Sequence, residues 1–211
     1  MDNLLNEEII LDEYTEINDS NCEILTEEET PGKKTYKIRG CFSKAGVKNL
    51  NGRVYPFNVM KHAVEAVQDD IKNGRFIAEC EHPNSAKINI YEIAAKVNQL
   101  QMMDDGTVVG EMTILDTPKG KVIKTLVDEG VKLGVSTRGV GSVKKTKMDL
   151  GNGIMEDVLE VQPDFALKAI DVIFSASAGE FGYPSFISEG VEHPNSKKTT
   201  IKQIWSQAFN S

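Results

Sequence analysis

Residues 92–115 read EIAAKVNQLQMMDDGTVVGEMTIL, two apolar-rich runs on either side of Asp104-Asp105-Gly106. Each run has the length and the residue types of a β-strand. The Asp-Asp-Gly tripeptide is typical of a tight turn, because aspartate and glycine readily adopt the backbone angles that such turns need. This stretch predicts an antiparallel hairpin, which is the clearest structural signal in the chain.

Further strands precede and follow this hairpin. In the first, KKTYKIRGCFSK, apolar and polar residues alternate, which is the period of a half-buried strand. A second strand, RFIAECEHP, ends at Pro83, because proline cannot donate a hydrogen bond to a sheet. The strand-like runs outside the hairpin are 33–44, 75–83, 132–145, 154–162 and 164–175.

Two helices are predicted, one opening at Pro56 and one at Thr117-Pro118, where the residues suit the first turn of a helix. The strands therefore come in runs and do not alternate regularly with helices. About seven strands with two main helices predict an α+β fold, with a mostly antiparallel sheet closed or nearly closed into a barrel.

Composition limits the classes of function. The net charge is −8 and 40% of residues are hydrophobic, yet no apolar run is long enough to cross a bilayer. No basic stripe interleaved with aromatic residues is present, so we expect neither a membrane nor a nucleic-acid partner. The N-terminus lacks the features of a secretory signal, which predicts a cytosolic protein. Cys22, Cys41 and Cys80 show no CxxC spacing, so we expect free thiols and no metal or other cofactor.

Charge also suggests the domain boundaries. Residues 1–31 contain eleven acidic residues and no lysine or arginine, which predicts a flexible acidic tail. The folded domain is predicted over 32–180. Residues 181–211 are predicted to be a linker and a C-terminal tail, ending in a short amphipathic helix whose apolar face needs a partner.

Ser136 is a candidate nucleophile. It lies in LGVSTRGVGS (133–142), where Gly139 and Gly141 allow the backbone to approach a substrate or to present amide groups to it. A serine hydrolase also needs a base near the hydroxyl, a group that orients the base, and donors for the oxyanion. From the residues alone, a glycine-rich hairpin turn with incidental serines is the simpler interpretation of this stretch.

The candidate bases are the three histidines, His62, His82 and His193. Two of them lie in copies of the same pentapeptide, EHPNS, at 81–85 and 192–196. His82 is the one predicted at a strand end, where its position is best defined. Cys80 precedes it by two residues and is an alternative nucleophile, although residues so spaced on one strand lie about 6–7 Å apart, which is unfavourable for direct contact.

Four motifs in this order resemble the prohead core proteases of tailed bacteriophages: NGRVYP at 51–56, ECEHP at 79–83, LGVSTRGVGS at 133–142 and DFALKAIDVIFSASAG at 164–179. Each motif is short, but the ordered set spans about residues 34–180. The family's fold is similar to that of herpesvirus assemblin, an antiparallel barrel wrapped by helices.

The resemblance implies roles for individual residues. Ser136 would be the nucleophile, His82 the general base and Asp171 the third member of a triad, with Asp164 and Glu81 as alternatives for that third role. Arg138 and Gly139 would lie at the oxyanion or substrate site, with backbone amides as the expected donors. No metal is implied.

The resemblance also implies a substrate class. Family members cut scaffold, core and capsid proteins after Glu in Ile/Leu-x-Glu sequences inside the assembling prohead, in the host cytoplasm. The residues Ile187-Ser188-Glu189 fit this pattern, which predicts self-cleavage between Glu189 and Gly190 and removal of the C-terminal tail. Further matches are Leu11-Asp12-Glu13, Leu25-Thr26-Glu27 and Ile77-Ala78-Glu79.

Several points stay open at this stage. The cation that binds the substrate glutamate is one of Arg53, Arg138, Lys144, Lys145 and Lys147. A homo-oligomer is compatible with the sequence. The competing function is a non-catalytic prohead core or scaffold component that retains the protease fold.

Overall fold

The computed structural model describes residues 9–16, 22–30, 33–49, 51–81, 85–151, 153–174 and 201–209. In chain order its elements are β1 (Ile9–Glu16), β2 (Cys22–Thr30), β3 (Lys33–Lys44), β4 (Arg53–Val54), α1 (Phe57–Ala66), α2 (Gln68–Lys72), β5 (Ile77–Cys80), β6 (Ile93–Met102), β7 (Thr107–Ile114), α3 (Pro118–Asp128), β8 (Leu133–Gly141), β9 (Val143–Asp149), β10 (Met155–Val161), β11 (Ala166–Phe174) and α4 (Ile201–Phe209).

Most strands belong to one eight-stranded sheet in the order β1-β8-β11-β5-β6-β7-β3-β2. Every neighbouring pair in it is antiparallel except β11 and β5, which run parallel. The sheet curls, so that β1 and β8 contact β3 across its interior. A second sheet contains β4, β10 and β9. The α+β prediction is confirmed, with a sheet that curls into a half-barrel and stays open at its ends.

The interior of the half-barrel is apolar and is closed by α1 and α2, which pack on β6. Val59, Met60, Ala63 and Val64 form the buried face of α1, as their helical spacing predicts. Phe57, expected on the same stripe, is 47% exposed. Its ring instead lies against Gly46 and Gly106, where any side chain would collide with it.

The predicted hairpin is confirmed as β6 and β7, joined by a turn in which the Gly106 amide donates to the Met103 carbonyl at 2.9 Å. Helix α3 begins as predicted, because the Thr117 side chain accepts a hydrogen bond from the Gly120 amide at 3.1 Å. Within the described ranges no helix is both long and apolar enough to cross a membrane.

The run 132–145, predicted as one strand, is two. It divides at Ser142 into β8 of the large sheet and β9 of the small one. Asp164 stabilises this break, since its carboxylate accepts hydrogen bonds from the Ser142 amide at 3.1 Å and from the Ser142 hydroxyl at 3.0 Å.

The acidic segment differs from the expected flexible tail, because it supplies β1 and β2. These strands pair with β8 and β3 and form the two ends of the large sheet. Leu11 on β1 is fully buried in the core. Composition predicted a solvated segment, but β1 pairs with the distant strand β8, and β2 forms a hairpin with β3, which follows it in the chain.

At the other end of the chain, α4 forms where an amphipathic helix is predicted. Trp205 of this helix contacts the sheet, since the Arg39 guanidinium on β3 lies 4.1 Å from the centre of its ring. Trp205 also stacks on Phe209 at 4.3 Å between ring centres.

Candidate active site

Three polar residues form a row across neighbouring strands of the large sheet. Ser136 on β8 lies opposite Asp171 on β11, and Asp171 is in register with Glu79 on β5. Residues directly opposite each other in a sheet project from the same face, so all three side chains share one face. All three are fully buried. The strands thus place the predicted nucleophile and the predicted third member of the triad side by side.

Arg138 adds its guanidinium to this row, because it follows Ser136 by two residues on β8 and shares its face. Its Nε donates to Asp171 Oδ2 at 2.8 Å and its Nη2 to Asp171 Oδ1 at 3.1 Å. The same Nη2 also donates to Glu79 Oε2, and Nη1 donates to the Ser85 carbonyl. Arg138 is fully buried. We refer to Glu79, Arg138 and Asp171 as the buried ion cluster.

The buried ion cluster carries two carboxylates and one guanidinium, a formal charge of −1 in their ionised forms. Burying charge is costly unless every charged group is paired and hydrogen-bonded. Here the cluster meets that condition partly through the loop after β5, since the Asn89 amide donates to Glu79 Oε1 at 2.6 Å. The arrangement joins β5, β8, β11 and residues 85–89 in one network.

Within the sheet, the strand of Ser136 lies between β11 and β1. Strand β1 pairs with β8 so that Tyr14 is opposite Ser136 and Glu13 is opposite Thr137. The Ser136 hydroxyl lies 3.5 Å from the Thr137 carbonyl oxygen, a long contact. Ser136 is fully buried in this arrangement, so an external substrate has no access to its hydroxyl.

His82 lies outside the described residues, but the chain on both sides of it is fixed to this site. The Glu81 amide donates to the Val172 carbonyl at 2.9 Å, one residue beyond Asp171, and the Ser85 carbonyl accepts from Arg138. Glu81 has φ of 67°, a left-handed conformation that ends the regular alternation of the strand. The face of His82 therefore cannot be deduced by counting along β5.

Cys80, the alternative nucleophile, is poorly suited to that role. It is in register with Val172, so by alternation it projects from the opposite face to Glu79 and the row. Burial raises the pKa of its thiol, and the charge of Glu81 raises it further. A raised pKa reduces the reactive thiolate at neutral pH.

The two alternatives for the third triad member have other partners. Asp164 caps Ser142, six residues beyond Ser136 on the chain. One carboxylate oxygen of Glu81 accepts from the Phe174 amide at 3.4 Å, and its side chain is exposed. Asp171 is the one of these acids that lies directly opposite Ser136. His62, on α1, is exposed.

Gly139 and Gly141 of LGVSTRGVGS do not form a turn, since β8 continues to Gly141 as regular strand. A side chain at Gly139 would collide with the ring of Phe165, and one at Gly141 would press on the Phe165 backbone. Their small size is thus explained by the packing of Phe165 against β8. A role for the Arg138 and Gly139 amides at an oxyanion remains a prediction.

The candidate cations for a substrate glutamate differ in their surroundings. Arg138 is fully buried and its guanidinium is bonded to carboxylates, as described above. Lys145 and Lys147 line a cavity of about 680 Å³ together with Lys48, on the small sheet. Arg53 on β4 is half-buried.

Glu79 is the site residue that sequence reasoning missed. It appeared only as the end of an Ile-x-Glu match in a strand expected to be protected. The sequence signal that could have identified Glu79 is an acidic residue between Ala78 and Cys80, inside a short apolar strand. A charge there requires a buried partner.

Comparison with known proteins agrees with the fold. In bacteriophage T4, the capsid assembly protease gp21 has a solved structure that matches with a TM-score of 0.67 and 23% sequence identity, over 81% of this chain and 99% of that chain. This likeness concerns the fold. No curated protein matches the chain. The family model of the prohead core protein serine proteases matches residues 14–191 of the sequence. This range includes Ser136, His82 and the whole buried ion cluster. The chain therefore belongs to the prohead core protein serine protease family.

Proposed function

We propose that this protein is a serine endopeptidase that acts inside an assembling prohead on core and capsid proteins. The main support is the juxtaposition of Ser136 and Asp171 on adjacent strands, in a chain of this protease family. The fold match to a capsid assembly protease agrees with the same class of substrate.

In the proposed mechanism, the Ser136 hydroxyl attacks the scissile carbonyl while His82 accepts its proton. His82 then protonates the leaving amine, and a water molecule hydrolyses the acyl-enzyme. Asp171 orients His82 and stabilises its charged form. Each carboxylate oxygen can accept more than one hydrogen bond, so the bonds from Arg138 leave Asp171 able to accept another from an imidazole.

We further propose cleavage after Glu in Ile/Leu-x-Glu sequences. The Arg138 guanidinium is bonded to two buried carboxylates. We therefore assign recognition of the substrate glutamate to another cationic residue, and the candidates are Arg53 and the lysines of β9. Lysines 145 and 147 are exposed and accessible to a substrate.

Self-processing is part of this proposal, and β1 supports it. The sequence Leu11-Asp12-Glu13 fits the cleavage pattern, and the Glu13–Tyr14 bond runs beside Thr137 and Ser136. The other matches are less well placed. Thr26 pairs with Tyr36 on β3, at the far end of the sheet, and Glu79 is buried. Glu189 and Gly190 lie outside the described residues and remain a second predicted cut.

Release of β1 would complete the substrate site. While β1 is paired, β8 has a neighbour on both sides and its backbone amides are used in the two ladders. Departure of β1 frees one edge of β8, including amides near Arg138 and Gly139. A substrate could then add to this edge as an extended strand.

Incubation of the purified full-length chain with a peptide copying residues 7–18 tests the function. We expect wild type to cut this peptide after the residue that copies Glu13, and Ser136→Ala to lose on the order of 10⁶ in kcat. Ser142→Ala is the matched control, because this exposed serine of the same motif bonds only to the Asp164 cap among the contacts described above. A Ser136→Ala loss below tenfold would refute the assignment, and inactivity of wild type in the presence of authentic prohead proteins would favour the scaffold alternative.

A further inference from the structure

Glu79 occupies a position that the proposed mechanism does not use. It is fully buried, and its two carboxylate oxygens accept from different donors. Oε2 accepts from Arg138 on β8, and Oε1 accepts from the Asn89 amide in the loop after β5. It thus connects the sheet to residues 85–89 of the segment after β5.

Arg138 makes the corresponding connection from the other side. It donates to Asp171 with two nitrogens and to the Ser85 carbonyl with a third. The two ends of the segment 82–84 are therefore held, at Glu81 by β11 and at Ser85 by Arg138. A buried guanidinium needs an acceptor for each of its donors, and Glu79 supplies the acceptor on the side of β5.

The charge of the cluster is a second reason to assign Glu79 a role in the reaction. Arg138 and Asp171 alone form a neutral pair, in which the guanidinium offsets the carboxylate. Glu79 brings the buried ion cluster to a net charge of −1. A negative cluster favours a positive imidazolium nearby, which is the species formed when a histidine accepts the serine proton.

We propose that Glu79 is a positioning residue for the proteolytic reaction, acting through Arg138 and through the 85–89 loop. This inference rests on the proposed function. By fixing Arg138, Glu79 holds Asp171 in the row beside Ser136, and by accepting from Asn89 it holds the loop that follows His82. It touches neither the substrate nor the reacting atoms.

The substitution Glu79→Gln tests this role with little change of shape. Glutamine has one acceptor oxygen in place of two, so its amide nitrogen must face either Arg138 or the Asn89 amide, both of which are donors. We expect kcat for the peptide copying residues 7–18 to fall by about 10²-fold, as small displacements of catalytic groups do, with KM changed less than about threefold. Labelling of Ser136 by a fluorophosphonate should slow in parallel, because this reaction reports nucleophile activation without peptide binding.

Two further variants make the result specific. Glu79→Asp keeps the negative charge but shortens the side chain, so we expect partial recovery, to within about tenfold of the wild-type kcat. This variant also decides the matter if Glu79→Gln does not fold. Glu111→Gln is the matched control, since Glu111 is likewise buried, pairs with Arg39 at 2.7 Å and lies on β7 of the same sheet, away from Ser136.

The outcomes separate this inference from the proposed function. Wild-type rates in Glu79→Gln, with Ser136→Ala inactive, would overturn the positioning role and leave the protease intact. An equal loss of kcat in Glu111→Gln would also overturn it, because the effect would then follow from general destabilisation. If wild type and Ser136→Ala were equally inactive, the proposed function itself would fail.

Discussion

Tyr14 on β1 lies directly opposite Ser136 on β8, so the chain carries a strand of its own along the edge where a substrate is expected to bind. The residue before Tyr14 completes a Leu-x-Glu sequence. The self-cleavage proposed at this bond would be unimolecular and should precede cleavage of other proteins.

Glu13→Gln should therefore block the first cut. Glutamine lacks the negative charge that the proposed specificity requires, so we expect the fragment beginning at Tyr14 to form at least 10²-fold more slowly, as measured by intact-protein mass spectrometry over time. Glu27→Gln, in the Leu25-Thr26-Glu27 match on β2, is the control and should leave that rate unchanged. Equal rates for wild type and Glu13→Gln would show that β1 is not cut there.

Asp171→Asn should impair both stability and activity. The substitution removes one carboxylate from the buried ion cluster, and breaking a buried ion pair typically costs about 3–5 kcal/mol. We expect a lower midpoint of urea unfolding and, for the fraction that stays folded, a loss of kcat on the order of 10⁴-fold, the size seen when the triad aspartate of other serine proteases is changed to asparagine.

Asp164→Asn is the comparison for this experiment. Its carboxylate caps Ser142 at the surface, so the variant should lose at most about 1 kcal/mol of stability and keep its activity within about tenfold. A larger loss of kcat in Asp164→Asn than in Asp171→Asn would reverse the assignment of the third residue.

Gly139→Ala should destabilise the protein through packing. The added methyl group meets the Phe165 ring and the Ala166 carbonyl, and overpacking of this kind costs about 1–3 kcal/mol. The free energy of unfolding from urea titration measures the change. Adding Phe165→Leu should recover part of the loss, because it removes the ring. If the double variant were no more stable than Gly139→Ala, the clash with Phe165 would not be the cause.

Cys80 should be dispensable for catalysis and slow to alkylate. Its pKa is raised above the ordinary value of 9.0, chiefly by burial, so thiolate is scarce at neutral pH and increases only as pH rises through the raised pKa. We expect the rate of alkylation by iodoacetamide, followed by peptide mass spectrometry, to keep rising above pH 9. Cys80→Ala should retain kcat within about threefold; loss of activity comparable with Ser136→Ala would restore the cysteine as nucleophile.

Local sequence signals predicted many of the strands and helices of the fold. The β6–β7 hairpin, the start of α3 at Thr117-Pro118 and the buried stripe of α1 all follow from turn residues, capping residues and periodicity, which act over a few positions. The family followed from four ordered motifs and is confirmed by the match over residues 14–191.

What sequence reasoning missed depends on contacts between distant segments. The acidic residues of β1 resemble a solvated tail until the edge of the distant strand β8 is present to pair with them. Similarly, Glu79 needs Arg138, 59 residues further along the chain, before a buried acid becomes stable. Gly139 suggested a flexible turn because the sequence does not reveal that Phe165 packs on it. The roles of Ser136, His82 and Asp171 stay predictions.

The burial of Glu79 has one more consequence under the proposed specificity. Ile77-Ala78-Glu79 is a complete cleavage sequence, hidden only because β5 is folded between β11 and β6. A cut there would remove the anchor of Arg138 and separate the strand from His82. Inside a prohead, where the protein is proposed to act, any copy that fails to fold, or that unfolds for long, would expose this bond to active neighbours and be cut. The population of proteases would thus remove its own misfolded members, a form of quality control that depends only on the lifetime of the folded state.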